Sequence, residues 1–402
     1  MRVAVVTQWY SEGLGYSENL LPAALARAGA EVHILAGQGQ IYAHTDKYEV
    51  IYRDVLGDAE LPPGTYATGT SAVLHRLPST LNVPNSDVVQ GALAELAPDI
   101  VQTFAIVDAW SFDSALFCKS SDVPLFTENH VHESVVPRGL WQTPRGWAVG
   151  VANRLRSRAT TVNNETVTCF AISDDTYRIA NRRFGVTRSK LRIQPLGVDT
   201  DVFRPADDRG WQRSKTRSGL GIADDEIACV YTGRLSPDKA PHLLAESVAR
   251  LRAKGLPLRA IFVGAGDAAY VDQLRACQGS IVLPFRPTAE LPEIYRASDV
   301  GVWPREESTS QLDAMACGLP LVVSDRVSAV ERLGVGASFR EGSAQALADA
   351  IASLRDPSVR RTFGHEAAQR IATGLSWHSI ARGRLAAYEG ELSRRMRRRI
   401  RG

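Results

Sequence analysis

Short apolar runs alternate with helix-spaced segments along almost the whole chain, and this alternation restricts the fold more than any other feature. Parallel strands need a crossover between them, usually a helix, so the pattern describes a parallel sheet covered by helices. "RVAVVTQ" (2–8), "EVHILAG" (31–37), "DIVQTFA" (99–105), "VPLFTEN" (123–129) and "TCFAIS" (168–173) read as strands of a first series. Between the first two, "SENLLPAALARAGA" repeats its apolar residues at helical spacing up to Gly29. "IACVYTG" (227–233), "RAIFVGAG" (259–266), "SIVLPF" (280–285), "DVGVWP" (299–304) and "LPLVVSD" (319–325) form a second series, and from about 343 the chain reads as helical. The 402 residues exceed what one core usually carries, which suits two such units.

Between the two series, "PLGVDTDVFRPADDRGWQRSKTRSGLGI" loses hydrophobicity and gathers Gly, Pro and polar residues, which places a linker near 203–220. The expected domains are 1–203, 204–375, and a terminal helix at 376–402 that crosses back to the first domain and carries a basic tail. Open sheets of this kind bind ligands outside the carboxyl ends of their strands, so the expected site is a cleft faced by both domains.

A formal charge of +3 is too small to indicate nucleic acid as a partner. No apolar run approaches the roughly 18 residues of a membrane span, and "MRVAVVTQWY" enters a strand directly, so the expected location is cytoplasmic. Cys118, Cys169, Cys229, Cys277 and Cys317 lie far apart and read as reduced thiols rather than a metal or disulfide set. The ending "SRRMRRRIRG" holds six arginines and reads as a solvated or disordered tail that makes weak contact with an anionic membrane at its inner face. "PRGWAVGVANRLRSRA" (144–159) sets Trp147, Val151 and Leu155 four apart beside Arg145, Arg154 and Arg158. It reads as a core helix with a basic face or as an interfacial anchor.

Six segments carry candidate chemistry. "VVTQWYSEGLGYSEN" follows a strand with Gly13, Leu14, Gly15 and Tyr16 before a helix start at Ser17. Glycines there let backbone amides approach an anion, although a tight strand-to-helix turn explains them equally. "TGRLSPDKAPHLL" (232–244) puts Gly233, Arg234 and Lys239 at a strand end beside a helix start, two cations with the charge to match a diphosphate. "VGAGDAAY" repeats the device with Gly264 and Gly266, and Phe285-Arg286-Pro287 forms a loop able to cup a base. "FTENHVHESVV" sets His130 and His132 just beyond a strand, where an imidazole could bond a sugar hydroxyl or share in proton movement. Finally, "WPREESTSQLDAMACGLPLVVSD" crowds Glu306, Glu307 and Asp313 around a helix start at Ser308, Thr309 and Ser310. Carboxylates suit vicinal diols because both oxygens accept from neighbouring hydroxyls; a capped helix with an acidic flank is the plain alternative.

Together these segments resemble the retaining glycosyltransferases of the GT-B fold, specifically family four. "QPLGVDTDVFRP" is similar to that family's inter-domain signature, "TGRLSPDKAPHLL" to its diphosphate-binding segment with Ala240 where glycine is usual, and "ELPEIYRASDVGVWP" and "LDAMACGLPLVVSD" to its characteristic later motifs. The resemblance implies an α/β fold of two Rossmann-like doubly wound parallel-sheet domains facing a cleft. It implies Arg234 and Lys239 on the diphosphate, Asp313 in place of a ribose-binding glutamate, His130 facing the sugar, and the Gly13–Gly15 loop on the acceptor side. Backbone near Phe285 and Arg286 would meet the base. The family's two acids are usually separated by seven residues, whereas Glu307 fits only if the loop is shortened by two, with Glu306 next.

The activity so implied is metal-independent transfer of a hexosyl unit from a UDP- or GDP-linked sugar to an acceptor hydroxyl, with retention and with no cofactor beyond the donor. A non-catalytic nucleotide-sugar-binding protein and a sugar-nucleotide epimerase remain as alternatives. The acceptor's class, the base and the hexose are not written in these motifs.

Overall fold

The structure, a computed structural model, describes residues 1–46, 48–85, 87–131, 157–206, 211–305, 308–327 and 332–401. It divides into two units. Unit one comprises Met1–Tyr48, Tyr52–Leu196 and Trp377–Gly402, and unit two comprises Glu49–Ile51 and Gly197–Ser376.

Unit one is built on β1 (Arg2–Thr7), β2 (Glu31–Gly37), β3 (Gly64–Ala67), β4 (Val73–Leu77), β5 (Ile100–Thr103), β6 (Leu125–Asn129), β7 (Thr166–Ala171) and β8 (Leu191–Ile193). They lie in the order β8-β7-β6-β5-β1-β2-β4-β3. Pairing is parallel except between β3 and β4. Val3 and Val5 of β1 point into one core, with Leu21 and Leu25 of helix α1 (Ser17–Arg27). Ala4 and Val6 point into the opposite core, with Trp110 and Phe117 of helix α2 (Ala109–Ser121). Burial on both faces is why this strand reads as a continuous apolar run instead of an alternating one.

Unit two carries β9 (Ile227–Thr232), β10 (Leu258–Val263), β11 (Ser280–Leu283), β12 (Val300–Trp303), β13 (Leu321–Ser324) and β14 (Gly336–Phe339), all parallel, in the order β11-β10-β9-β12-β13-β14. The first strand sits centrally and the order reverses between β9 and β12. At that switch, successive crossovers leave toward opposite faces and a crevice opens at the strand ends.

Two expectations change. Residues expected as linker include helix α3 (Trp211–Gly219), whose Arg217 is buried, pairs with Asp299 at 3.1 Å and donates to the Ala297 carbonyl at 3.0 Å. A helix held by a guanidinium rather than an apolar stripe looks like linker in composition. The arginine tail, expected as solvated or disordered, is largely exposed but helical, and it completes the last helix. With α4 (His242–Ala253) and α5 (Thr309–Ala316) preceding it in unit two, this is α6 (Trp377–Arg401). Arg395 and Arg399 pair with Asp122 at 2.7 and 2.6 Å, tying the helix end to the C-cap of α2 within unit one. Among the described residues no helix is long and apolar enough to cross a membrane. The segment 144–156 lies outside them.

Candidate active site

In unit two, the carboxyl ends of β9 and β12 bring together most of the residues expected to hold a donor. Thr232, the last residue of β9, accepts at its carbonyl from Trp303 Nε1 at 3.1 Å and from Ser310 Oγ at 3.3 Å. Its hydroxyl meets the Tyr295 phenol at 2.6 Å. The loop that begins at Gly233 and Arg234 therefore leaves the sheet beside the start of α5, which carries Thr309, Ser310 and Asp313 behind the N-cap Ser308; Lys239 lies further along the same loop.

Close packing of two βα loops shapes this corner. Gly233 N donates to Val263 O at 3.0 Å and Leu235 N to Ala265 O at 2.9 Å, so the loops after β9 and β10 run side by side beyond the strands. A Cβ on Gly264 would fall 1.9 Å from the Gly233 carbonyl oxygen, and one on Gly266 would fall 1.9 Å from that of Leu235. These glycines let the two loops pack backbone against backbone.

Arg234 keeps 29% of its side chain exposed, with Nη2 at 3.7 Å from Asp238, a loose surface pair that leaves the guanidinium adaptable. Lys239 closes a short 3-10 turn from Pro237 and is half-buried. Ala240, where the resemblance expects glycine, has φ 51°. The position requires the left-handed conformation, in which glycine is free of the penalty of roughly 1–2 kcal/mol that a Cβ brings. Phe285 and Arg286 follow the edge strand β11, where Arg286 pairs with Glu290 at 3.2 Å.

Ser308 occupies the N-cap position of α5. Its N–H donates to Gln311 Oε1 at 3.2 Å, and its hydroxyl meets Ser310 Oγ at 2.7 Å. Glu306 and Glu307 lie outside the described residues. Asp313 is partly accessible, and burial, with repulsion from Asp199, pushes its carboxyl up to about 8.

This shift predicts a pH effect. An unfolded-chain aspartate titrates near 3.8, so between about pH 4 and 8 the native state holds a proton that the unfolded state releases. The group's contribution is intact below that window and is lost as pH rises through it. Asp313→Asn is expected to flatten this decline and raise the Tm above wild type at pH 8, measured by thermal unfolding over a pH series. Parallel curves for the two proteins would place the decline elsewhere.

Unit one holds the residues expected on the acceptor side. Gly13 has φ 77° with open space around it, the left-handed turn that glycine suits, whereas Leu14 is buried. Tyr16 precedes α1, and its hydroxyl meets that of Tyr52 at 3.1 Å. His130 follows β6 with 26% of its side chain exposed, and its Nε2 lies 2.6 Å from Glu128 Oε2. His132 lies outside the described residues.

The carboxylate behind His130 belongs to a buried network that motif reading missed. Arg384 Nη2 of α6 is 2.8 Å from Glu128 Oε1, a charge contact without hydrogen-bond alignment, and both side chains are almost fully buried. Arg384 also donates to Gln194 and, at 3.2 Å, to Gln102, while its guanidinium sits 3.4 Å from the Phe170 ring centroid. Tyr388 donates to the same Gln102 oxygen at 2.8 Å. Burial opposes the ionised Glu128, yet the Arg384 charge and the His130 hydrogen bond outweigh it and hold the carboxyl below its ordinary value. Burial likewise opposes the imidazolium, but the hydrogen bond and charge of Glu128, with Glu18 of α1, raise His130. Glu18 itself is raised by burial, with the His130 charge pulling against it. Two signals were available in sequence. Glu128 and His130 are two apart, hence on one side of an extended segment, and Arg384 interrupts the apolar stripe Ile380, Ala381, Leu385, Tyr388.

All five cysteines are free, and among the described residues no group of three acids, histidines or cysteines is arranged to hold a metal.

Comparison with known proteins agrees with this architecture. The family model "Glycosyltransferase Family 4" matches residues 20–202, and "Glycosyl transferases group 1" matches 226–356. D-inositol 3-phosphate glycosyltransferase of Geodermatophilus obscurus is 31% identical over 266 residues, covering 60% of this chain and 57% of the relative. The enzyme of that name from Stackebrandtia nassauensis is 32% identical over 226 residues, covering 51% and 50%. The chain thus spans little more than half the length of these curated relatives. Among solved structures, sucrose-phosphate synthase from Thermosynechococcus elongatus superposes with a TM-score of 0.70 at 18% identity, covering 98% of this chain and 99% of that one. Anabaena HepE in complex with UDP superposes at 0.69 and 16%, covering 97% and 100%. With one family model on most of unit one, another on the core of unit two, and neighbours of this fold across nearly the full length, the chain belongs to glycosyltransferase family 4 and has the GT-B fold.

Proposed function

We propose that the protein transfers a hexosyl unit from a UDP- or GDP-linked sugar to an acceptor hydroxyl, with retention and without a metal. The observation that carries this reading is the bond from Ser310 at the start of α5 to Thr232 at the end of β9, the strand that leads into Arg234 and Lys239, at the switch of a parallel sheet. That location supplies cations, helix-start amides and a carboxylate to a diphosphate and its ribose. The HepE structures with UDP and with UDP-glucose support the donor class.

In the proposed step the bond between the sugar's anomeric carbon and the diphosphate oxygen breaks, and a new bond forms from the acceptor oxygen on the same face. The acceptor's proton passes to the departing diphosphate oxygen, and the nucleoside diphosphate leaves. Arg234 and Lys239 stabilise the charge that grows on that oxygen, the kind of contribution usually largest in such chemistry. Asp313 hydrogen-bonds the ribose diol, and either Glu306 or Glu307 meets the hexose hydroxyls.

A panel of UDP- and GDP-sugars tests the donor: at one hundred times its Kd, a true donor adds about 2.7 kcal/mol of stability. Turnover with an acceptor, insensitive to EDTA and yielding a product of unchanged anomeric configuration by NMR, is the expected result. Conversion of donor alone would indicate an epimerase, and donor bound but never consumed a binding protein.

We also place weak membrane contact at the end of α6. There Met396 and Ile400, 65% and 78% exposed, stand one turn apart, flanked by exposed Arg397 on one side and by Arg399, paired to Asp122, on the other. Co-sedimentation with anionic but not neutral vesicles, lost on removing residues 393–402, is the expected result.

A further inference from the structure

We propose that Arg384 is a positioning residue for His130 and acts through Glu128. The inference rests on the reading of His130 as an acceptor-side group, and it adds a component on the last helix that the sequence motifs do not contain.

The geometry supplies the chain of contacts. One guanidinium meets Gln102 on β5, Glu128 on β6, the Phe170 ring on β7 and Gln194 just after β8, so it bonds or stacks across four neighbouring strand positions of unit one. A side chain so constrained has one place to sit. It brings a full positive charge to a carboxylate that is itself buried and would otherwise favour its neutral form. The second oxygen of that carboxylate takes the 2.6 Å contact from His130 Nε2. An ionised carboxylate can only accept, so Nε2 must carry a proton, and the ring's orientation and tautomer are settled from behind. The remaining nitrogen, Nδ1, is then the one that addresses a ligand.

The charged groups around the imidazole are Glu128 from β6, Glu18 from the first turn of α1 and Arg384 from α6. The two carboxylates favour a charged ring and Arg384 opposes it. Arg384 therefore has two opposing effects: it keeps Glu128 ionised, and it restrains the imidazolium that Glu128 promotes. Such a balance suits a group that must bond a hydroxyl near neutral pH without being locked in one protonation state.

The test is a double-variant cycle in the full chain, read by NMR titration of the His130 ring and by kcat/KM for acceptor. Glu128→Gln is expected to lower the His130 midpoint by about one pH unit or more and to reduce kcat/KM by roughly tenfold or more. Arg384→Gln is expected to lower the midpoint as well, because Glu128 left without its cation in a buried site takes up a proton, and to reduce kcat/KM similarly, with Arg384→Lys restoring part of both. Adding Arg384→Gln to Glu128→Gln should then change little, because the intermediary is already gone. This pair also leaves no unpaired buried charge, so it reports even if Arg384→Gln alone does not fold. A His130 titration unmoved by Arg384→Gln, or effects of the two changes that simply add, would overturn the proposal. If wild type transfers no hexose from any nucleoside diphosphate sugar, the proposed function fails, and the titration cycle still decides whether Arg384 acts through Glu128.

Discussion

Replacing Lys239 by alanine is expected to slow hexosyl transfer by tens-fold or more, and Arg234→Ala by at least as much. Each charged hydrogen bond to a diphosphate contributes about 1.5 to 3 kcal/mol, which is roughly a tenfold to hundredfold change in rate at 1.36 kcal/mol per decade. The loss should fall mainly on kcat, because the charge these groups meet grows as the bond to the sugar breaks. Folding should hardly respond: Arg234 is partly exposed, and its pair with Asp238 at 3.7 Å is a loose surface contact. Steady-state kinetics beside a thermal-unfolding curve separates the two outcomes. Lys239→Arg keeps the charge and should recover part of the rate, and turnover unchanged in Lys239→Ala would remove the residue from the mechanism.

Gly264→Ala is expected to do greater damage with a single added methyl group. The new carbon would lie 1.9 Å from the Gly233 carbonyl oxygen, and backbone on both sides cannot rotate away as a side chain would. The loops after β9 and β10 must part, which strains the bonds from Gly233 N to Val263 O and from Leu235 N to Ala265 O. Overpacking typically costs about 1–3 kcal/mol, and a displacement of about 1 Å at a reacting group can cost a hundredfold in rate. Arg234 lies between those two bonds, so both penalties are expected: a lower Tm and a turnover loss of about a hundredfold or more. Gly91→Ala, at a helical position with open space around it, is the control and should leave turnover unchanged. Wild-type kinetics in Gly264→Ala would mean that the corner yields more easily than its packing indicates.

The difference between Gly264 and Arg384 shows what could be read from the sequence. Gly264 ends a buried strand and opens a helix, a local pattern carried within eight residues. The ten strands anticipated from apolar runs are all present, because strands buried on both faces announce themselves by composition. β3 and β4 were not anticipated: Gly64–Ala67 is largely exposed and Val73–Leu77 includes His75 and Arg76, so neither forms an apolar run. β8 has only three residues, and β14, Gly336–Phe339, carries Gly and Ser and is buried only at Phe339, so neither forms an apolar run. The places of Arg234 and Lys239 just beyond β9, and of Asp313 on α5, were legible because each lies within a few residues of a strand end or a helix start. Glu128 and Arg384 are 256 positions apart and meet only through tertiary structure, which no local pattern records.

The return of α6 to unit one affects how the protein is made. Trp377, Ile380, Ala381 and Tyr388 fill the same core as Val3, Val5, Leu21 and Phe126. During synthesis the opening half of the chain emerges first, yet its hydrophobic interior lacks a wall until nearly everything else has been translated. The nascent amino-terminal portion must wait as an incomplete body while its successor folds, and a ribosome stalled before Trp377 would leave that interior uncovered and prone to aggregation.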